Sequence, residues 1–341
     1  MYFRARAPLR LGLAGGGTDV SPYSDLYGGA ILNATIDMYA YATVKPRNDN
    51  TIVIHARDRD ERLELRSTEQ LDLDGRLGLL KGVYNRVVRD FAREPLAFEL
   101  TTHADAPAGS GLGTSSTMVV AALGAFSDWL KIPLGDYETA HLAFEIERKD
   151  LNLAGGKQDQ YAATFGGFNF VEFYADDKVL VNPLRIRQEI VNELEFSLVL
   201  YHIGTSRLSS TIVEGQARNI EHQEERSIDA MNSLKRQAVM MKEAILKGEL
   251  QGLGAIFDYG WQNKKQTAEG VTSDRIDEIY AAALKAGSTG GKISGAGGGG
   301  FMFFFCPGNS RYAVRSELEK FGGQFREFHF TSGGLTTWRA R

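Results

Sequence analysis

Pro107-Ala108-Gly109-Ser110-Gly111-Leu112-Gly113-Thr114-Ser115-Ser116-Thr117 joins a segment that reads as a strand, Leu96 to Thr101, to one that reads as a helix. On the helical side Met118, Val119, Ala122, Leu123, Phe126 and Leu130 recur at three- and four-residue steps. The hydroxyls of Thr114 to Thr117 suit the N-terminus of that helix. Glycines let a backbone come close to a polyphosphate and turn successive N–H groups toward it. The helix start adds unsatisfied donors and a partial positive charge. A hydroxyl in such a loop can also ligate magnesium. Taken alone, a glycine-rich loop is equally well a flexible strand-to-helix connection.

Elements of both kinds extend outward from the loop in runs, which makes the chain α+β rather than a strict βα alternation. Upstream, Tyr39 to Val44 and Thr51 to His55 are rich in β-branched and aromatic residues and predict a hairpin-like pair across Pro46 to Asn50. Leu77, Leu80, Val83, Tyr84, Val87, Val88 and Phe91 predict an amphipathic helix. Downstream, strands are expected at Phe168 to Tyr174, Val179 to Leu184 and Phe196 to Ile203. Helices are expected around Met231 to Ile245, Asp274 to Ala286 and Arg311 to Phe321, with a strand at Phe301 to Phe305 and another at the end. At 341 residues the chain exceeds one comfortable core. A boundary near residue 190 gives domains 1–190 and 191–341, with a cleft between them.

Composition removes several classes. The net charge of −4 argues against an electrostatic grip on nucleic acid or anionic membrane, so any phosphate must be held locally. No apolar run approaches the roughly 20 residues of a membrane span, and Arg4, Arg6 and Arg10 precede no signal-peptide core. Cys306 is the only cysteine, so neither a disulfide framework nor a cysteine metal cluster is expected within one chain. The histidines are scattered, without metal-ligand spacing. These features predict a cytoplasmic protein, monomer or homodimer, acting on a small molecule.

Familiar nucleotide motifs fail. Near Gly287 to Ile293 a Walker A ending is spoiled by Ala286 and Ile293. Gly109, Gly111 and Gly113 lack G-x-G-x-x-G spacing, and no H-R-D or D-F-G tripeptide occurs. Three segments in order instead resemble the GHMP family of kinases, named for galactokinase, homoserine kinase, mevalonate kinase and phosphomevalonate kinase. The loop resembles the family's P-x-G-x-G-L-G-S-S-A. Ala7-Pro8-Leu9-Arg10-Leu11-Gly12-Leu13-Ala14-Gly15-Gly16-Gly17-Thr18-Asp19 resembles its sugar-kinase A-P-x-R-x-x-L-x-G-x-x-T-D. Lys292-Ile293-Ser294-Gly295-Ala296-Gly297-Gly298-Gly299-Gly300 resembles K-x-S-G-A-G-x-G-G.

The resemblance implies an N-terminal domain like ribosomal protein S5 domain 2, a ferredoxin-like C-terminal domain, and ATP with Mg2+ as cofactors. It places ATP on Pro107, Gly109, Ser110, Gly111, Leu112, Gly113, Thr114, Ser115 and Ser116, with Ser115 on the metal. Glu147 resembles a second metal ligand, and an exposed helical glutamate is the other reading. Asp159, in Gly156-Lys157-Gln158-Asp159-Gln160, matches the catalytic aspartate of galactokinase-like members, and Arg10 the cation that orients it. Asp19, with Gly17 and Thr18, falls where sugar hydroxyls are recognised, and Gly295 and Gly297 fall in the third motif at the acceptor.

Lys157 and Arg207 are cations where a sugar phosphate could be read, or else solvated surface charge. Ala14 to Asp19, Glu145 to Arg148 and Ala154 to Gln160 resemble the branch that phosphorylates the anomeric hydroxyl of D-glycero-D-manno-heptose 7-phosphate. An L-fucose or other anomeric sugar kinase, and a galactokinase-like sensor that binds sugar and ATP, are the alternatives.

Overall fold

The computed structural model describes residues 1–204 and 209–341. Twelve strands occur among the described residues: β1 (Tyr2–Ala14), β2 (Gly29–Pro46), β3 (Thr51–Ala56), β4 (Glu61–Arg66), β5 (Phe98–Ala104), β6 (Phe168–Phe173), β7 (Val179–Pro183), β8 (Leu198–His202), β9 (Gly290–Ile293), β10 (Phe301–Phe305), β11 (Gln324–Arg326) and β12 (Thr336–Ala340). The first sheet runs β12-β1-β2-β5-β3-β4, and the early half of β2 also carries β6, which in turn carries β7. The second sheet runs β11-β8-β10-β9, all neighbours antiparallel.

β2 and β3 do not form the expected hairpin. β5 lies between them, antiparallel to β2 and parallel to β3. Ile52, Val53 and Ile54 are buried in succession, so both faces of β3 are covered, as suits an interior strand. Its turn partner is β4, reached through Asp60 at φ 50°. The helices Gly78–Val87 and Thr114–Leu130 cover one face of this sheet and share a core with β3 and β5 through Leu80, Tyr84, Phe98, Leu123 and Phe126.

Period-two alternation in β10 joins the halves of the molecule. Phe301, Phe303 and Phe305 point into a core that also contains Leu9, Leu11 and Leu13 of β1 and Leu32 and Ala34 of β2. Met302 and Phe304 point to the opposite face, with Ile276, Ile279 and Val314 from the helices Asp274–Lys285 and Ser310–Glu319. The helix Glu225–Lys247 lies in the shared core through Ala238, Met241 and Ile245.

A division at residue 190 leaves the last strand on the wrong side. β12 returns to the first sheet and pairs with β1 from Tyr2↔Ala340 to Arg6↔Thr336, covering an edge that would otherwise be open. Among the described residues no helix is long and apolar enough to cross a membrane.

Candidate active site

A cavity of about 300 Å³ opens where the first sheet, the Pro107–Thr117 loop and the second half of the chain meet. Gly109, Gly111 and Gly113 adopt φ of 77°, 83° and 78°, a region that glycine enters without steric cost. A Cβ on Gly111 would lie 2.2 Å from the Ser294 carbonyl oxygen, so the two glycine-rich segments touch backbone to backbone. Ser294 Oγ donates to Gly111 O at 2.8 Å, and Phe301 N to Ser110 O at 2.9 Å. The loop is therefore held from both halves.

Three of the four hydroxyls after Gly113 are engaged. Thr114 meets Ser110 Oγ at 3.1 Å, Ser116 donates to Glu147 Oε1 at 3.0 Å, and Thr117 donates to Gly113 O at 2.9 Å. Ser115 is exposed to the cleft at the helix start, where backbone donors and the macrodipole favour an anion.

Arg10 is buried on β1, with Asp159 in the first turn of the helix Gln158–Phe165 beside it. Its Nε donates to Asp159 Oδ1 at 2.7 Å, with Nη2 at 2.6 Å from the same oxygen, while Nη1 donates to Gly111 O at 2.5 Å. One guanidinium thus ties the carboxylate to the phosphate-type loop. Asp159 retains 22% side-chain exposure and faces the cavity, as a group that exchanges a proton with a ligand must.

On the opposite wall Asp19 is buried, accepting from Gln158 N at 3.0 Å and Gly17 N at 3.3 Å. It lies on the bare face of Gly156, whose added Cβ would be 1.8 Å from Asp19 Oδ2. Gly155 faces Arg148 in the same way, its Cβ position being 2.3 Å from the guanidinium carbon. Arg148 donates to the carbonyls of Leu153, Ala154 and Gly156, fixing this stretch as a wall of the cleft.

Glu147 is buried at the end of the preceding helical segment and accepts from Ser116 and Gln160, with Arg148 at 3.9 Å. Burial pushes its carboxyl above the usual carboxylate range, against the opposing effect of Arg148 and the two hydrogen bonds. A divalent cation would relieve that desolvation, and hard oxygen donors such as Glu147 and Ser115 suit magnesium, which needs few protein ligands when phosphates supply the rest. The donor set fits the ion.

Two further cations were not singled out in the sequence. Lys264, at the end of the helix Leu253–Lys264, is buried and donates to Gly16 O at 2.9 Å. Lys292 on β9 donates to Gly12 O at 2.9 Å. Burial pushes Lys264 down to about 8, partly offset by Asp19. Burial, then Lys264 and Arg10, push Lys292 down to about 7. Gln158 and Gln216 also line the cavity. Lys264 and Gln216 carry no sequence signal, whereas Lys292 opens the third glycine motif and Gln158 precedes Asp159.

Arg10, Gly17, Asp19, Ser115, Glu147, Asp159 and Gly295 converge on this cavity, as do Gly109, Gly111, Gly113, Thr114 and Ser116. Pro107, Ser110 and Leu112 shape the loop without lining it, Leu112 being a core side chain. Three acceptor expectations are corrected. The Thr18 hydroxyl is buried between Gly15 O at 2.8 Å and Ala30 O at 3.0 Å, and so locks a turn. Gly297 packs on Val271, leaving no face to the cleft. Lys157 is neutralised by Asp177 at 2.9 Å and Asp25 at 3.4 Å, in a neighbouring recess. Arg207 lies outside the described residues.

Comparison with known proteins bears on the same residues. The model of the GHMP kinases N terminal domain matches residues 78–167, and that of the GHMP kinases C terminal domain matches 241–324. The chain is 47% identical over 336 residues to a D-glycero-alpha-D-manno-heptose 7-phosphate kinase of Campylobacter jejuni, covering 98% of each protein. It is 27% identical to an L-fucokinase/L-fucose-1-P guanylyltransferase of Bacteroides fragilis, covering 87% of this chain and 34% of that one. A solved structure described as a D-glycero-D-manno-heptose 1-phosphate kinase of Bacteroides thetaiotaomicron superposes with TM-score 0.84 at 47% identity, covering 99% of both chains.

Proposed function

The chain belongs to the GHMP kinase family, and from that membership we propose that it transfers the terminal phosphoryl group of ATP to the anomeric hydroxyl of D-glycero-D-manno-heptose 7-phosphate, giving the 1,7-bisphosphate. The observation that carries this reading is Arg10 bonded at once to Asp159 and to Gly111 O, which puts a proton acceptor beside the nucleotide loop and across from Asp19. Likeness at 47% along the whole chain to a heptose phosphate kinase supports the acceptor class, against 27% to a fucokinase.

Phosphoryl transfer asks little covalent chemistry of a protein and much positioning. Gly109 to Ser115 and the following helix start hold the phosphates of ATP. Ser115 and Glu147 would hold magnesium, which would neutralise charge on those phosphates. Asp19 and Gln158 fix the sugar through its hydroxyls. Asp159 accepts the hydroxyl proton as the new phosphorus–oxygen bond forms and the bond from the terminal phosphorus to the bridging oxygen breaks to release ADP, a proton transfer that comes late in a loose transition state. Arg10 aims the carboxylate and lends positive charge near the attacking oxygen. An enzyme that consumes ATP and a sugar phosphate, with a single buried thiol, belongs in the cytoplasm.

Purified protein with Mg-ATP, offered heptose 7-phosphate, heptose 1-phosphate, fucose, galactose and mannose, tests the reading by phosphorus NMR. The expected product comes from heptose 7-phosphate and carries its new phosphate at C1. No phosphorylation across the panel defeats the kinase reading and favours a sugar sensor. Turnover of fucose in preference moves the acceptor.

A further inference from the structure

We infer that Lys264 is the anchor for the phosphate group that the acceptor carries at the end remote from its reacting hydroxyl, an inference that rests on the heptose phosphate reading above. Every other described cation lining the cleft is committed. Arg10 is paired with Asp159, and Arg148 is spent on three loop carbonyls and lies near Glu147. Lys157 in the next recess bridges Asp25 and Asp177. Lys264, 4% exposed, donates to the neutral Gly16 carbonyl and enters none of the ion pairs among the described residues.

A buried ammonium whose burial is only partly offset, here by Asp19 without a direct ion pair, is costly to fold around, and the cost falls when a further anion arrives. Lys292, buried behind the same glycines with a carbonyl as its partner, adds positive potential and no neutralising carboxylate.

Position assigns the anion to the acceptor rather than to ATP. Lys264 Nζ donates to Gly16 O and would be 2.9 Å from a Cβ on Gly17, so it belongs to the Gly16–Asp19 wall. The nucleotide loop is gripped from the other side through Gly111 and Ser294. Gln216 completes the arrangement. Its Nε2 donates to Thr267 Oγ1 at 2.8 Å, while Oε1 is buried without a partner, 3.5 Å from the same Gly17 Cβ position. That oxygen accepts a sugar hydroxyl beside the phosphate. A phosphorylated sugar satisfies both groups, and a neutral sugar leaves Lys264 with only the partial offset from Asp19.

The test is Lys264→Met, assayed with heptose 7-phosphate and with the same heptose lacking its phosphate. Loss of a charged hydrogen bond predicts a fall in kcat/KM of about 30- to 100-fold for the phosphorylated acceptor. The fall for the unphosphorylated one should stay under about threefold, a difference that a structural role does not produce. The melting temperature of the ligand-free variant should stay within a few degrees of the parent's, because relief from burying an ammonium is set against the loss of its bond to Gly16 O and of its attraction to Asp19. Equal losses on both acceptors, no loss on either, or a melting temperature lowered by many degrees overturns the inference. A parent with no preference for the phosphorylated sugar also overturns it and leaves the kinase reading standing. A parent that turns over neither acceptor defeats both.

Discussion

Gly156→Ala adds one methyl group where the structure has no room for it. The new carbon would sit 1.8 Å from Asp19 Oδ2, 2.4 Å from its Cγ and 2.9 Å from Oδ1, so the whole carboxylate must move by more than an ångström. Asp19 is 1% exposed and cannot swing into solvent while keeping its place. Its bond from Gln158 N at 3.0 Å is the first to break, followed by that from Gly17 N at 3.3 Å. A hydrogen bond to a charged group is worth about 1.5–3 kcal/mol. If the carboxylate that reads the sugar is displaced by that much, kcat/KM for the acceptor falls by about 10- to 100-fold, at about 1.4 kcal/mol per factor of ten.

The loss should fall on the acceptor. Gly156 is separated from the nucleotide loop by Gln158 and Asp159, so KM for ATP should stay within about twofold by the same reasoning on independent sites. Initial rates with each substrate varied in turn separate the two, and a thermal melt controls for folding. A variant that melts normally and keeps acceptor kcat/KM within about twofold refutes the role of Asp19 in acceptor binding.

Three shorter predictions concern other parts of the site. Asp159→Asn, nearly isosteric and still able to bond Arg10, should lower kcat by two or more orders of magnitude, roughly the scale of general-base loss. ATP affinity by titration calorimetry should hold, and an equal loss of ATP binding contradicts the assigned role. Lys292, pushed down to about 7 when folded, has an ordinary value of 10.5 when unfolded. The unfolded chain therefore binds more protons between those values, and stability should rise with pH from about 7 toward 10 at this site. Lys292→Met should flatten that slope and raise the melting temperature at pH 6.5, and a slope unchanged in the variant excludes Lys292 as its source. Cys306 is buried and its thiol is pushed up to about 12, by burial first, so an aromatic disulfide reagent should label it at the rate of unfolding. Labelling within the mixing time contradicts that burial.

The parts of the site legible in the sequence are those where chemistry forces a local pattern. A backbone that cradles phosphate needs glycines at short spacing, so Gly109, Gly111 and Gly113 stand together, and Arg10 and Asp19 ride on one strand and its turn. Lys264 and Gln216 could not be found that way. Each is one letter on a helix and is brought to Gly17 by packing between distant segments, the helix of Lys264 through Leu253 and Phe257 in the shared core and that of Gln216 through Ile212 and Ile220. Lys157 misled for the converse reason. Its sequence neighbour is the catalytic-type aspartate, while the carboxylates that neutralise it come from other segments, Asp25 from one far upstream and Asp177 from the loop between β6 and β7. The fold shows the same limit, since β5 enters between β2 and β3, and β12 closes the edge of β1, through pairings that no turn residue encodes.

That division of labour has a consequence for how the two halves of the chain contribute. The groups assigned above to the nucleotide come almost wholly from the first half: the Gly109–Ser116 loop, Glu147 and Arg10, all of which line the cavity except Ser110 and Leu112. Contact from the second half reaches the loop through one side chain, the Ser294 hydroxyl on Gly111 O, and otherwise through the backbone, as the Ser294 carbonyl against Gly111 and Phe301 N on Ser110 O. The acceptor end is different, because Asp19 belongs to the first half and Lys264 and Gln216 to the second, with Gly17 between them. Side-chain changes in the second half should therefore alter which sugar is used and leave ATP handling largely alone.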